Sequence, residues 1–539
     1  VAVNSRTNLG THIRGSRRIC RISSLVTEGE TMRISKNDKR PVQLRNRRKQ
    51  AVKKQTTAGQ QFCVPHVAAN SQAVDALQAT AVADNMQWVE QNFSHCDLGD
   101  VRRTQRLAIV AQNMLNNPEK SLPKQNAEWS DIKSAYRLFH REEVTFDAVR
   151  QRHEELVRQT PPGVYLMISD TTDISHFTHQ ATTGLGMLGD GTGRGMQLHS
   201  CLTVNAATGV IHGSAAGIVF YRSEVPKGET RMQKLARPRE SSLWGKICEK
   251  IGQPPEGSQW IHVWDRGGDN FEALCHVVQS KSDWVIRASK LNREVHRNGT
   301  RMAMENAVSD SELIGSYDLH LRARPGVAAR VASLQIRSTR VTLPQPKMKS
   351  LLVKSCGIES IETNVLEVKE VNARRGVTPI RWVLITSLPV DTLDAAWAVI
   401  EHYEKRWLIE EYHKVMKTGC SIERHSLRTA ERLEPLIGLI SVIGVRLLSL
   451  KTICRHEPEA KAKDRVPGSW LKVLLLMKPK LAKKELTVYE FFRGLAKLGG
   501  FLGRKHDGEP GWETIWTGYQ ILHSRMEGIR LVSSELLCG

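Results

Sequence analysis

Ten cysteines, at positions 20, 63, 96, 201, 248, 275, 356, 420, 454 and 538, include no CxxC pair. That excludes zinc modules of the usual spacing and a disulfide scaffold, and it suits a reducing cytosol. No stretch has the form of a signal peptide. The most apolar run, Leu436 to Leu450, is broken by Arg446 and falls short of the ~20 residues that a membrane-spanning helix needs. A secreted or membrane protein is thereby excluded, and no membrane partner is expected. No internal repeat is visible.

What is present is length and positive charge. The 539 residues suggest about three or four domains as a soft prior. Lys and Arg number 78 against 56 Asp and Glu, a net charge of +22, with a pI near 9.7. Such an excess points to a polyanion, nucleic acid first and anionic membrane second. Residues 1–54 hold 15 of those bases and only 3 acids, so the remainder is moderately basic. Motifs, not net charge, must carry the nucleic-acid reading. Residues 1–80 are polar, basic and without an apolar period, and are expected to be a disordered basic extension. An over-extended start, with Met32 as the alternative, accounts for the same composition.

Apolar spacing predicts helices near 86–93 and from Val101, a third capped by Ser130-Asp131, and a fourth over Phe146–Arg158. Together they read as a helical domain over 85–158. The texture changes at Pro161-Pro162-Gly163. Val164 to Ser169 reads as a buried strand ending at Asp170, and Trp260 to Trp264 as another ending at Asp265. Further strands are predicted at 196–204, 210–221 and 284–288, with a helix at 271–279. Residues 290–388 read as strand-rich. A helix is expected from Thr392 to about Lys417, another over Thr429–Arg455, and three more in the tail 456–539. Strands followed by helices, with carboxylates at strand ends, predict a mixed α/β core over 160–455.

Asp170 and Asp265 stand where open α/β sheets place ligands. A turn or cap role explains either one alone. Two on separate strands favour a divalent cation, which takes carboxylates from more than one element. Tyr403, Arg406, Glu410 and Lys417 fall on one face of a helix at ~100° per residue, with His413 and Lys414 at its edges. A solvated face laced with i,i+4 pairs, Arg406 with Glu410 and Glu410 with Lys414, is the plain alternative. An acid flanked by bases also suits a phosphodiester site, where the acid holds a cation and the bases hold phosphate. Gly184 to Gly189 matches GxGxxG without the strand-to-helix context of a dinucleotide site, and is read as a flexible loop near the active site. Trp382 opens a strand and by default is core; base stacking would need it exposed.

Taken together these residues resemble the Tn5/IS50-type transposases of the IS4 group. The likeness rests on Leu98-Gly99-Asp100 with Arg102, Arg103 and Arg106; Asp170-Thr171-Thr172; Asp265-Arg266; Arg381-Trp382; and Tyr403, Arg406, Glu410 and Lys417 at the spacing of the family's YREK signature. It implies an RNase H-like catalytic core with a β-rich insertion at about 290–388, flanked by the helical DNA-binding domain and a C-terminal helical dimerisation domain. Asp170, Asp265 and Glu410 match the DDE triad, which implies two Mg2+ ions, with Mn2+ able to substitute. Tyr403, Arg406 and Lys417 match residues that handle the transposon end and its hairpin intermediate, Trp382 matches one that stacks on a flipped base, and Lys414 is a further DNA-binding candidate beside them. The implied partners are transposon-end DNA, target DNA and a second copy in the DNA complex; the implied location is the cytoplasm, on the nucleoid. The implied activity is cut-and-paste transposition. A nuclease of the same fold without strand transfer, or an inactive DNA-binding inhibitor, are the alternatives, and the presence of all three acids disfavours the last. One departure stands out: Gly267-Gly268 follows Asp265-Arg266 where relatives often carry Glu-Ala. The tail aromatics Trp470, Phe491, Phe492, Phe501, Trp512, Trp516 and Tyr519 suit either self-association or a small core of their own.

Overall fold

The computed structural model describes residues 85–537 except 127, 190, 192, 322–327, 457 and 505–506. The basic extension over 1–80 lies outside the described residues. Two units are distinguished. The smaller comprises, among described residues, parts of 316–335 with 368–381; the larger holds everything else.

In the larger unit a sheet forms the centre. Its strands are β1 (Val164–Ser175), β2 (Gly186–Leu188), β3 (Gly193–Asn205), β4 (Ile211–Phe220), β5 (Gln259–Trp264) and β6 (Asp283–Arg287). Next come β7 (Glu294–Arg297), β8 (Thr300–Ala303), β9 (Leu313–Leu321), β10 (Arg330–Pro344), β11 (Ser360–Glu370) and β12 (Arg381–Thr386), of which β9 to β12 each have residues in the smaller unit. β4, β3 and β1 are successive antiparallel neighbours, and β1, β5 and β6 are parallel. Three antiparallel strands followed by two parallel ones is the RNase H-like arrangement. β12 then pairs antiparallel with β6 and leads into the insertion strands in the order β11, β10, β7, β8. In the smaller unit Arg330 pairs with the buried carboxylate of Glu370, and Ser333 bonds Asp318 and Asn372.

One face of the sheet is closed by the helices Leu243–Ile251 and Phe271–Gln279, which bury Trp244, Ile247, Leu274 and Val277 against Trp264, Trp284 and Ile286. The helix Phe146–Arg158 starts at the predicted residue because Thr145 caps it, accepting from the Ala148 N–H. It belongs to the core and not to a separate helical domain. The wholly buried Arg150 pairs with Glu154 and donates to Ser214 of β4 and Ser441 of the long helix Ala430–His456. The 85–158 boundary therefore runs too far; the helices that stand before the core are Asn85–Phe93, Val101–Asn116, Leu122–Gln125 and Trp129–Leu138. The third of these was unforeseen, and the last is preceded by Glu128, not capped by Ser130.

Two other expectations change. The glycine run is not a loop: Gly186–Leu188 forms the short edge strand β2, paired with Gly193–Gly195. In the tail, Trp470, Phe491, Phe492, Trp516 and Tyr519 are all buried, and Trp470 and Trp516 both pack on Tyr519. Those aromatics form a core within the chain, so they supply no argument for self-association. No helix among the described residues is long and apolar enough to cross a membrane.

Candidate active site

β1 is longer than its apolar half. The parallel pairing with β5 ends at Ile168 opposite Val263, but the antiparallel pairing with β3 continues to Ser175 opposite Gly195. Asp170 is thus inside β1, not at its end as the apolar run suggested. Continuing the register by two residues sets Asp170 level with Asp265, which leaves β5 directly. Asp265 caps the short turn Arg266–Gly268, its Oδ1 accepting from the Gly267 N–H at 2.7 Å. Asp170 Oδ1 accepts from the Thr171 N–H at 2.7 Å.

The expected single helix from Thr392 to Lys417 is three pieces. Leu393–Glu404 ends at Lys405, Trp407–Lys414 follows, and Val415–Gly419 is a π-helical turn. Arg406 sits in the joint. Its guanidinium donates to Asp170 Oδ2 at 3.3 Å and pairs with Glu410. Arg406, Asp170 and Glu410 are therefore brought together across 236 residues of chain. Tyr403 lies buried at the end of the first piece, with its ring edge-on to Trp382 at 5.9 Å. Lys417 is not on the stripe: it lies in the π turn and pairs with Glu423 at 3.4 Å. Lys414 is exposed. Trp382 is 7% exposed and meets the core default; it is not presented to a base in this conformation.

Electrostatics tie the acids together. Burial first, and then the negative charge of Asp265, push the Asp170 carboxyl up to about 7, against the pull of Arg406. Burial opposes the charge on Arg406, yet Tyr403, Asp170, Glu410 and Asp265 together hold its pKa above the ordinary value. Burial raises Tyr403, with Arg406 and Arg287 acting the other way. Arg406→Met should therefore cost about 3 kcal/mol, the bottom of the ~3–5 kcal/mol range for a broken buried pair, because Glu410 keeps some exposure. Urea unfolding measures this, and an unchanged midpoint would show that the guanidinium bridge contributes nothing. Among the described residues no three His, Cys, Asp or Glu side chains form a group that could hold a metal ion. Arg406 is what links Asp170 to Glu410 here.

Three residues at the site went unforeseen. Arg287 ends the apolar strand β6 and interacts with Tyr403; a lone base in so apolar a run was its signal. His199 on β3 shares a 2.7 Å hydrogen bond through Nδ1 with Thr171 Oγ1. Trp244 packs edge-on to His199, and no local sequence feature pointed to it. In the N-terminal helices Arg102 is 84% exposed beside Asp100. Arg103 instead binds the Leu98 carbonyl and Glu143, and Arg106 pairs with Asp131.

An RNase H-like sheet with two acids level at the β1–β5 edge, and a third one helix away, defines a nucleic-acid-cutting class. Three family models match this chain: Transposase DNA-binding over residues 85–144, Transposase DDE domain over 265–443, and Transposase Tn5 dimerisation domain over 442–538. The chain is a DNA transposase. The three matches together are consistent with a Tn5/IS4-like transposase. The first match ends just before the helix Phe146–Arg158, in keeping with that helix's place in the core.

Proposed function

We propose that this transposase works by cut-and-paste chemistry in which Asp170, Asp265 and Glu410 form its acidic triad. The observation that carries the reading is the level placement of Asp170 and Asp265 on adjacent parallel strands, with Glu410 joined to Asp170 through Arg406. The order of steps is nicking at the transposon end, attack of the freed 3′-hydroxyl on the opposite strand to give a hairpin, hairpin opening, and strand transfer into target DNA.

The three acids are not gathered into a ligand group in this conformation, where Arg406 bridges two of them, but their chemistry suits a hard divalent cation. The donor set is all carboxylate oxygen, and Asp170 is held unfavourably as an anion by burial and Asp265, a deficit that positive charge repairs. Bound by Asp170, Asp265 and Glu410, a pair of Mg2+ or Mn2+ ions would supply Lewis-acid stabilisation of the attacking and leaving oxygens. The chain's own groups do the rest. Arg406, kept charged by its neighbours, is placed to hold the phosphate of the scissile strand once a cation takes over its carboxylates. Tyr403 and Arg287, both buried beside Arg406, would hold that guanidinium in place. Lys414 and Lys417 extend the cationic face along the DNA. Such a protein would work in the cytoplasm, on the nucleoid, as a dimer that holds two transposon ends.

An assay with a labelled transposon 3′-end separates joining from cutting. Transfer of label into target DNA is the expected result. Cleavage without a joined product would make the protein a nuclease of the same fold.

Among the N-terminal arginines, exposure favours Arg102 as a phosphate contact at the end of the DNA-binding helix. Arg102→Ala should lower the slope of log affinity against log salt by about one. An unchanged slope in a salt titration of end binding would take Arg102 off the DNA.

A further inference from the structure

We infer that Trp244 is a positioning residue for the Asp265 carboxylate, admitted to that place by the absence of a side chain at Gly267. The inference rests on Asp265 acting as a cation ligand and adds what sets its direction.

The Gly267-Gly268 pair lies between two indoles and the acid. A Cβ at Gly267 would stand 2.9 Å from Trp244 Cζ2, 3.2 Å from its Nε1 and 3.0 Å from Asp265 Oδ1. The gap between the indole edge and the carboxylate is thus too narrow for a methyl group. A Cβ at Gly268 would stand 2.7 Å from Cε3 and 2.8 Å from Cβ of Trp264, whose ring centroid is 5.5 Å from that of Trp244. Neither glycine has a positive φ, so the constraint is space and not backbone conformation.

The opposite side of Trp244 leads to the other acid. Its ring meets His199 edge-on at 4.7 Å; His199 Nδ1 bonds Thr171 Oγ1, and the Thr171 N–H donates to Asp170 Oδ1. A line of contacts therefore runs from Asp170 through Thr171 and His199 to Trp244, and the Trp244 edge faces Asp265 Oδ1 across Gly267. Two neighbouring carboxylates repel and, unsupported, would turn apart. On Asp265 the Gly267 N–H fixes one oxygen, and we infer that the indole edge across the glycine bounds the swing of that oxygen. Trp244 is 5% exposed and anchored in the main core, which makes it a fixed wall.

The test uses the full chain as wild type, Gly267→Ala, Trp244→Phe and the double variant. The first readout is the unfolding midpoint without metal. A steric contact predicts coupling: Gly267→Ala lowers the midpoint, and the double variant lowers it by less than the two single effects combined. The second is Mn2+ affinity without DNA, from the spin resonance of free Mn2+. Each single variant should weaken binding about 10-fold or more, as expected for loss of an outer support of a ligand. A Trp244 that is only structural would lose stability and keep its Mn2+ affinity. Additive midpoints, or wild-type Mn2+ affinity in a folded single variant, would overturn the inference. If Gly267→Ala does not fold, Trp244→Phe alone decides through its Mn2+ affinity. If wild type itself binds no Mn2+, the cation reading of Asp265 fails and the inference falls with it, an outcome told apart from the inference's own failure, in which wild type binds Mn2+ and the folded variants bind it equally well.

Discussion

Replacing Asp170, Asp265 or Glu410 by its amide should cost about 10³-fold or more in Mg2+-dependent cleavage, with binding of the transposon end retained. The amides keep the shape of each side chain and remove only its charge. The three substitutions differ in what they do to the protein without DNA. Asp265→Asn takes away a negative charge that raises Asp170, so Asp170 should ionise at lower pH and stability should hold or rise. Glu410→Gln instead deprives Arg406 of one of its two carboxylates and should destabilise. An inactive but undiminished Asp265→Asn protein would separate chemistry from folding. Gel-shift binding beside a nicking assay makes the measurement, and near-normal nicking by any one variant would remove that residue from the triad.

How much of this was legible in the sequence depended on whether local chemistry decided it. Caps did: Asp100 accepts from the Arg102 N–H and Thr392 from the Ala395 N–H, and those helices begin where expected. Asp265 was placed correctly because an apolar run stops at it and a glycine turn follows. Asp170 was misplaced because the second half of β1, Asp-Thr-Thr-Asp-Ile-Ser, is polar; its strand character shows only in the alternation of buried Thr172 and Ile174 with their half-buried neighbours. The break at Lys405-Arg406 carries no Gly or Pro to announce it. It coincides with tertiary contacts of Arg406 across the sheet, which no periodicity within the helix contains. The pairing of Arg406 with Glu410 was visible as an i,i+4 spacing; the bridge to Asp170 was not. His199 and Trp244 reach the site from elements with no motif of their own, so only the register of β1 against β3 and the packing of one helix reveal them.

Acidification from pH 7.5 to 5 should unfold the protein or bring it close to unfolding. His153, His176, His199, His262, His413, His425 and His523 are buried, and burial pushes each imidazole down to about 3 or 4. His153 illustrates why. Its Nδ1 meets Asn92 Oδ1 at 2.7 Å and its Nε2 accepts from the Ser214 N–H at 3.0 Å, so a second proton has no place without breaking that bond. In the unfolded chain each imidazole titrates near 6.5. A depressed folded-state pKa means stability present above pH 6.5 and lost as pH falls towards the folded value, because the unfolded chain takes up protons that the folded one refuses. By pH 5 each histidine removes about 2 kcal/mol on that linkage. Seven such losses together come to about 14 kcal/mol, near the top of the ~5–15 kcal/mol by which domains are stable. Asp170 works in the opposite sense: raised to about 7, it returns stability as pH falls through 7 towards its unfolded value, but it is one group against seven. Urea titrations followed by tryptophan fluorescence at pH 7.5, 6 and 5 should show the midpoint falling steeply below 6.5. A midpoint that stays level down to pH 5 would mean that these imidazoles find room for a proton in the folded chain.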